Sequence, residues 1–269
     1  MQGGPGDGQQ STSSVSASQV AGELASATFE EIPALVEHYR EDPRQQVIKA
    51  CERALKRHDK ELAERERVND MYELMHELGG DGVVVGVDEV GRGSVAGPLT
   101  VCAVCLPMEP RVWGINDSKK LTPARRELLS VKIAEVATAI GFCHIAPKDI
   151  DEMGMARAIR TAVAGAVADT GLEPDCVLMD GNPLGAVPNE RDVVKGDAKI
   201  ACIAAASIMA KVTRDEMMVE YDAEYPEYHL AESKGYASPE HIEAIRKHGL
   251  CPLHRVSFCG NFLQTERLF

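Results

Sequence analysis

Two adjacent carboxylates, Asp88 and Glu89, follow the β-branched run Val83-Val-Val-Gly-Val87 and precede Gly91-Arg92-Gly93. Open α/β sheets carry their ligand sites at the C-terminal ends of strands, and two acids there suit a divalent cation. An exposed turn is the plain alternative. Asp180, in Asp180-Gly181-Asn182, again stands just past a short apolar run, with a turn as the competing reading. Asp197, in Lys195-Gly-Asp197-Ala-Lys199, opens a long Ala-rich stretch and would serve equally as a helix N-cap. Three such acidic sites at one end of a layered domain can converge on a hard cation such as Mg²⁺, which requires oxygen ligands. Two basic segments, Asn116-Asp-Ser-Lys-Lys-Leu-Thr122 and Ala205 to Asp215, hold either solvated charges or phosphate contacts, and spacing does not separate the two.

The elements that must position these residues are legible from periodicity. Residues 1 to about 20 form a Gly/Ser/Gln tract too polar to order itself, predicting a flexible tail. From residue 21 to 80 the pattern is helical: a capping box at Thr28-Phe-Glu-Glu31, a helix start at Asp42-Pro43, and a long charged helix from Val47 to Leu78. After Gly80 strands alternate with helices. Val83–Val87, Leu99–Leu106, Phe142–Ile145 and Cys176–Met179 read as strands. Pro123–Gly141, Asp149–Thr170, Asp197–Tyr221 and Ser238–His248 read as helices, the second as one or two. An α/β layered domain over residues 81–269 with a helical C-terminal part follows, carrying a helical N-terminal extension.

Composition bounds the function. With 269 residues, 44% hydrophobic and 26% charged, the chain can bury a core. No apolar run reaches membrane-spanning length and the start lacks an export signal, so a cytoplasmic protein without membrane contact is expected. The eight cysteines are scattered in apolar contexts and read as reduced, buried thiols. A net charge of −13 opposes nucleic-acid binding by the chain as a whole, yet leaves a local basic groove open, the acidity being spread over both parts of the chain.

Seven separated segments, Val87-Asp-Glu-Val-Gly-Arg-Gly-Ser-Val-Ala-Gly-Pro98, Asn116-Asp-Ser-Lys-Lys-Leu121, Met179-Asp-Gly181, Lys195-Gly-Asp197, Ala204 to Asp215, Lys234-Gly-Tyr236 and His254-Arg-Val-Ser-Phe258, resemble in order the motifs of bacterial ribonuclease HII. The region around Glu41-Asp-Pro-Arg44 resembles the extension on longer members. The resemblance implies a ribonuclease H-like fold, a mixed central sheet flanked by helices, with Asp88, Glu89, Asp180 and Asp197 as catalytic and metal-ligating acids. Asp at the fourth position and a helical extension separate the chain from the sister ribonuclease HIII group, which usually has Glu there and a β-rich N-terminal domain.

The implied cofactors are two divalent cations, Mg²⁺ or Mn²⁺. The implied reaction is hydrolysis of RNA in RNA–DNA hybrids and incision 5′ of ribonucleotides embedded in duplex DNA, leaving 3′-hydroxyl and 5′-phosphate ends, as in ribonucleotide excision repair. Gly91, Arg92 and Gly93 would read the 2′-hydroxyl, which alone distinguishes RNA from DNA. Tyr236 would pack on the sugar 3′ of the ribonucleotide, and Lys119 and Lys120 would contact phosphates. Lys211 and Arg214 are either further phosphate contacts or structural residues. A monomer is expected. The C-terminal Gln264-Thr-Glu-Arg-Leu-Phe269 is loosely similar to peptides that dock on a replication sliding clamp.

Overall fold

The computed structural model describes residues 15–263, which divide into two compact units between Glu66 and Arg67. In the first unit, α1 (Ala17–Ser26) begins inside the tract expected to be a tail. The reason is local: the Ser16 hydroxyl and Gln19 side chain form a reciprocal capping box. Residues 1–14 lie outside the described residues. The helix α2 (Ile32–His38) follows, and α3 (Gln45–Gly79) starts two residues after Pro43. Val20, Leu24, Ile32, Val47, Ala50 and Ala54 form this unit's core. Arg57 closes α1 by donating to the carbonyls of Leu24, Ala25 and Ala27.

The second unit is built on a five-stranded mixed sheet. Its strands are β1 (Val84–Val90), β2 (Leu99–Cys105), β3 (Ala139–Ile145), β4 (Cys176–Asp180) and β5 (Glu190–Val193), in spatial order β3-β2-β1-β4-β5. The pairs β1–β2 and β2–β3 are antiparallel, whereas β1–β4 and β4–β5 are parallel. β5 was not expected. Glu190-Arg-Asp-Val193 has no apolar alternation, and as an edge strand it needs only β4 to hold it. β3 starts at Ala139, earlier than expected, because α4 (Pro123–Val136) ends before Gly141. A Cβ on Gly141 would lie 2.2 Å from the Ala166 carbonyl oxygen, so glycine lets a helix cross this strand.

Helices cover both faces. α5 (Pro147–Met153) and α6 (Met155–Asp169) are separate, parted at Gly154 with φ of 78°. α6 buries Ala158, Ile159, Ala162, Val163, Ala166 and Val167, a stripe at helical spacing, against Val85, Val87, Val177 and Met179. The other face takes α7 (Ala201–Glu224), whose first ten residues are nearly all small and buried. Gly86 of β1 explains why: a Cβ there would sit 2.3 Å from the backbone carbon of Cys202, so the helix and strand backbones touch. α4 and residues 68–75 of α3 complete this layer, with Leu129, Ile133, Val68, Met71, Tyr72 and Met75 buried. The Tyr72 hydroxyl accepts the Val112 N–H at 2.9 Å.

The C-terminal part comprises α8 (Leu230–Ser233), α9 (Pro239–His248) and α10 (Val256–Cys259). Its core joins Tyr228, Leu230, Ala244, Ile245 and Cys259 to Met218 and to Val95 and Ala96. All eight cysteines are free thiols, five buried and three half-buried. No helix among the described residues is long and apolar enough to cross a membrane.

The division at residue 66 gives a direct test. Deleting residues 1–66 should leave a cooperative thermal transition, whereas deleting 1–79 also removes four buried side chains, Val68, Met71, Tyr72 and Met75. Each is worth about 1.5–3 kcal/mol of burial, together comparable to a domain's whole stability. Circular dichroism melts of the two truncations should show folded and unfolded products respectively.

Candidate active site

Asp88 and Glu89 lie within β1, not beyond it, because pairing with β2 continues through Val90 opposite Thr100. Side chains alternate along a strand. Asp88 therefore shares the α7 face with Gly86, and Glu89 shares the α6 face with Val85 and Val87. Asp180, the last residue of β4, has the parity of Cys176 and Leu178 and so shares the face of Asp88. β1 and β4 run parallel in register from Val84–Cys176 to Val87–Met179, which brings the next residues, Asp88 and Asp180, abreast.

Asp197 is not the cap of the long helix. It occupies a short 3-10 turn, Gly196–Ala198, entered through Lys195 in the left-handed region, and α7 begins only at Ala201. The Gly196 N–H donates to Asp180 Oδ1 at 2.7 Å, tying the turn to the end of β4. All four acids thus gather where the parallel strands end.

The carboxyls of Asp88, Glu89 and Asp197 are raised by burial and by neighbouring acids more than the nearby cations lower them. Asp88 is 7% exposed, and its carboxyl is pushed up to about 8 by burial first, then by the charges of Glu89 and Asp180. Burial also raises Glu89, against the pull of Arg92 at 3.5 Å. Asp197 is raised by burial, then by Asp180 and Asp117, against Lys119, whose Nζ stands 3.7 Å from Asp197 Oδ2. Burial works to lower Lys119, but Asp197, Asp117, Asp88 and Asp180 together raise it.

A cleft of about 220 Å³ is lined by Asp88, Glu89, Gly91, Arg92, Gly93, Ser118, Lys119, Ser207, Lys211 and Tyr236. Lys120 is exposed and outside this lining, its backbone N–H bonded to the Asp117 carbonyl. A Cβ on Gly93 would meet nothing within 4 Å, so the loop backbone is open to approach there. Gly91, at φ of 89°, has Arg214 behind it.

Arg214 and Arg255 are the residues whose role motif spacing did not reveal. Both are fully buried. Arg214 donates to the carbonyls of Pro98, Ala96 and Lys234 and to the Ser94 hydroxyl, at 2.8–3.0 Å. Arg255 donates to the carbonyls of Gly97 and Arg92. Of the two readings for Arg214, phosphate contact or structural residue, the structure takes the second. Lys211 is ion-paired to Asp215 at 2.7 Å while still lining the cleft. Two guanidiniums thereby fasten residues 91–98 from below, and burial, with Arg214's charge second, brings Arg255 down to about 10. The signal in sequence was slight: Arg255 stands in a largely apolar segment, whereas Arg214 is flanked by Lys211, Asp215 and Glu216.

No group of three or more His, Cys, Asp or Glu among the described residues stands close enough to hold a metal ion as placed. The donor chemistry nevertheless fits a hard divalent cation: the four acids supply oxygen alone, the cleft that Asp88 and Glu89 line has neither thiol nor imidazole in its lining, and Asp88 is raised by burial and then by its neighbours' charges, which a cation would offset.

A mixed sheet of this order with acids gathered at the ends of its parallel strands defines a ribonuclease H-type nuclease. The sequence profile described as Ribonuclease HII matches residues 85–261, and that described as Ribonuclease HII N-terminal domain matches 16–78. The chain belongs to the ribonuclease HII family. It is 43% identical over 211 residues to the ribonuclease HII of Ruminiclostridium cellulolyticum, covering 77% of this chain and 82% of that one. Against the Moorella thermoacetica ribonuclease HII the identity is 47%, covering 72% and 96%. Among solved structures, ribonuclease H2 of Pyrococcus horikoshii superposes with a TM-score of 0.58 at 27% identity, covering 68% of this chain and 99% of that one. The chain is a ribonuclease H hydrolase, an endoribonuclease of RNA–DNA hybrids.

The raised Asp88 predicts a measurable stability effect. A carboxyl raised in the folded state contributes stability that is complete below its unfolded pKa near 4 and is lost as pH rises through about 8. In metal-free buffer Asp88→Asn should therefore match the wild type below pH 4 and exceed it by about 1–3 kcal/mol above pH 8. Urea unfolding at both extremes measures this, and a constant difference would contradict it.

Proposed function

We propose that the chain, beyond hydrolysing hybrid RNA, incises duplex DNA on the 5′ side of an embedded ribonucleotide, leaving 3′-hydroxyl and 5′-phosphate ends. One observation carries this reading: Asp88 and Glu89 line one cleft with the Gly91-Arg92-Gly93 loop and the 40% exposed Tyr236, and Asp180, whose charge raises both, is tied to the turn that carries Asp197. Asp88, Glu89, Asp180 and Asp197 would hold two divalent cations, Mg²⁺ or Mn²⁺. When bound, such ions supply activation of water and stabilisation of the leaving oxygen.

The chain's own residues supply selection and placement. The open backbone at Gly93 admits a sugar edge, and its amide and carbonyl groups are suited to a 2′-hydroxyl, both donor and acceptor. Buried Arg214 and Arg255 keep that backbone from yielding when the substrate presses on it. The Tyr236 ring offers a flat apolar face for the adjoining sugar. Lys119, beside Asp197, and exposed Lys120 are placed to meet phosphate oxygens, as is Arg92. Net acidity does not prevent this, since Arg92, Lys119 and Lys211 line one cleft.

The decisive experiment uses a DNA duplex carrying one ribonucleotide, with Mg²⁺, with Mn²⁺ and with chelator. Cleavage 5′ of the ribonucleotide only with metal is expected, and Asp88→Asn and Asp197→Asn should each lower it by at least about a thousandfold while remaining folded. Near wild-type turnover in either variant would remove the four-acid assignment.

A second partner is proposed for the C-terminus. An archaeal relative from Archaeoglobus fulgidus, 25% identical with a TM-score of 0.57, was solved as a PCNA:RNase HII complex. Gln264–Phe269 lies outside the described residues, so docking on a sliding clamp through it rests on sequence and this relative. Pull-down by the clamp should be lost on deleting Leu268 and Phe269, and undiminished capture would dismiss the idea.

A further inference from the structure

Two buried histidines stand behind Tyr236. His241 of α9 is 0% exposed and His254 is 3% exposed, their Nε2 atoms 3.1 Å apart. Neither is ion-paired among the described residues. Their partners fix where the protons sit. His254 Nδ1 accepts the Cys251 N–H at 3.0 Å, with Cys251 Sγ at 3.2 Å from the same nitrogen. That nitrogen therefore carries no proton, and the single proton of His254 is on Nε2, donated to His241 Nε2. His241 is left with its proton on Nδ1, which faces the Tyr236 carbonyl oxygen at 2.9 Å. Only this combination of tautomers satisfies all three contacts, and it gives a one-way chain from Cys251 to Tyr236.

The chain ends where the cleft needs a fixed backbone. On the N-terminal side of Tyr236, the Gly235 carbonyl accepts from both Val95 and Ala96, joining it to the loop that carries Gly91–Gly93. On its C-terminal side the residue's own carbonyl takes His241 and the Ser238 N–H. The ring itself is 40% exposed, with the Arg214 guanidinium 5.7 Å from its centre, so packing alone holds it weakly. Pinning of the backbone on both sides is what limits where the ring can point.

We propose that His241 and His254 are positioning residues that hold Tyr236 in register with the Gly91–Gly93 loop, and thereby set the preference for a lone ribonucleotide over a continuous RNA tract. This rests on the assignment of Tyr236 to the sugar beside the ribonucleotide. A lone ribonucleotide offers one 2′-hydroxyl and one register, so a displaced ring cannot be compensated by sliding to a neighbouring nucleotide. A continuous RNA tract offers many registers and tolerates the displacement.

The test compares kcat and KM on both substrates for the full chain and its Tyr236→Ala, His241→Leu, His241→Asn and Tyr236→Ala/His241→Leu variants. Tyr236→Ala should lower the ratio of kcat/KM for the lone ribonucleotide to that for the RNA tract by about tenfold or more. His241→Leu, which keeps an apolar volume but has no donor for the Tyr236 carbonyl, should lower it about three- to tenfold, through kcat more than KM. His241→Asn, whose amide restores a donor near the Nδ1 position, should recover most of the ratio. In the Tyr236→Ala background His241→Leu should change the ratio by less than about twofold, since the two act through one contact. Equal losses on both substrates, or an undiminished effect in that background, would overturn the proposal while leaving the tyrosine assignment standing. An unchanged ratio in Tyr236→Ala itself would overturn the assignment and the proposal together. Should His241→Leu fail to fold, His254→Asn is read by the same criteria: it keeps an acceptor for Cys251 but ends the link to His241.

Discussion

Helix α7 lies on strand β1 with no side chain between their backbones at Gly86, where a Cβ would come within 2.3 Å of the Cys202 carbonyl carbon. That close approach sets the depth of the whole α7 layer. It requires the small residues Ala201 and Ala204–Ala206 at the start of the helix, and it places Ser207 and then Lys211 along the side of the cleft. Ser207 meets Ser118 at 2.9 Å, which fixes the segment carrying Lys119. One turn further on, Arg214 reaches the loop after β1. Strand, loop and helix are thereby held in one frame.

Two kinds of buried charge are set against each other in that frame. The arginines beneath the loop are fully buried without a carboxylate, and their donors are satisfied by backbone carbonyls and one hydroxyl. Such groups keep their charge because they are hydrogen-bonded on all sides used. Among the acids at the strand ends, Asp88, Glu89 and Asp197 are raised first by burial and then by like-charged neighbours, so all three stand above their ordinary values. The loop is consequently rigid, and the acidic end is poised to gain from added positive charge. A nuclease of hybrid duplexes needs both: a firm surface to compare one sugar with another, and a concentration of carboxylate where the phosphodiester is cut.

The C-terminal helices serve the same frame from the opposite side. Met218, Ile245 and Cys259 pack on Val95 and Ala96, the chain pairs briefly there with His254, and Gly235 receives two amides of the loop. Residues far apart in sequence, Gly91–Gly93 and Tyr236, thereby line one cleft. The order of the motifs along the chain gives no hint of this pairing.

Much of the molecule is written in local pattern. Strand β1 is a β-branched run, α6 has an apolar stripe every three to four residues, and Thr122 and Ser238 cap α4 and α9, each ahead of a proline, because these preferences act over a few neighbouring residues. The four candidate acids were also picked out locally, by their motifs and their places beside apolar runs. Other features needed the folded chain. β5 is polar and becomes a strand only because β4 offers it an edge; Asp197 joins Asp180 through a turn whose hydrogen bond spans sixteen residues; Arg214 and Arg255 become internal fasteners because carbonyls of the loop after β1 and of Lys234 surround them. The sequence by itself determined most of the helices and strands and singled out the acidic residues as candidates for the chemistry. The tertiary structure alone decided which of them meet, because convergence depends on strand order and on burial, and neither is a property of neighbours along the chain.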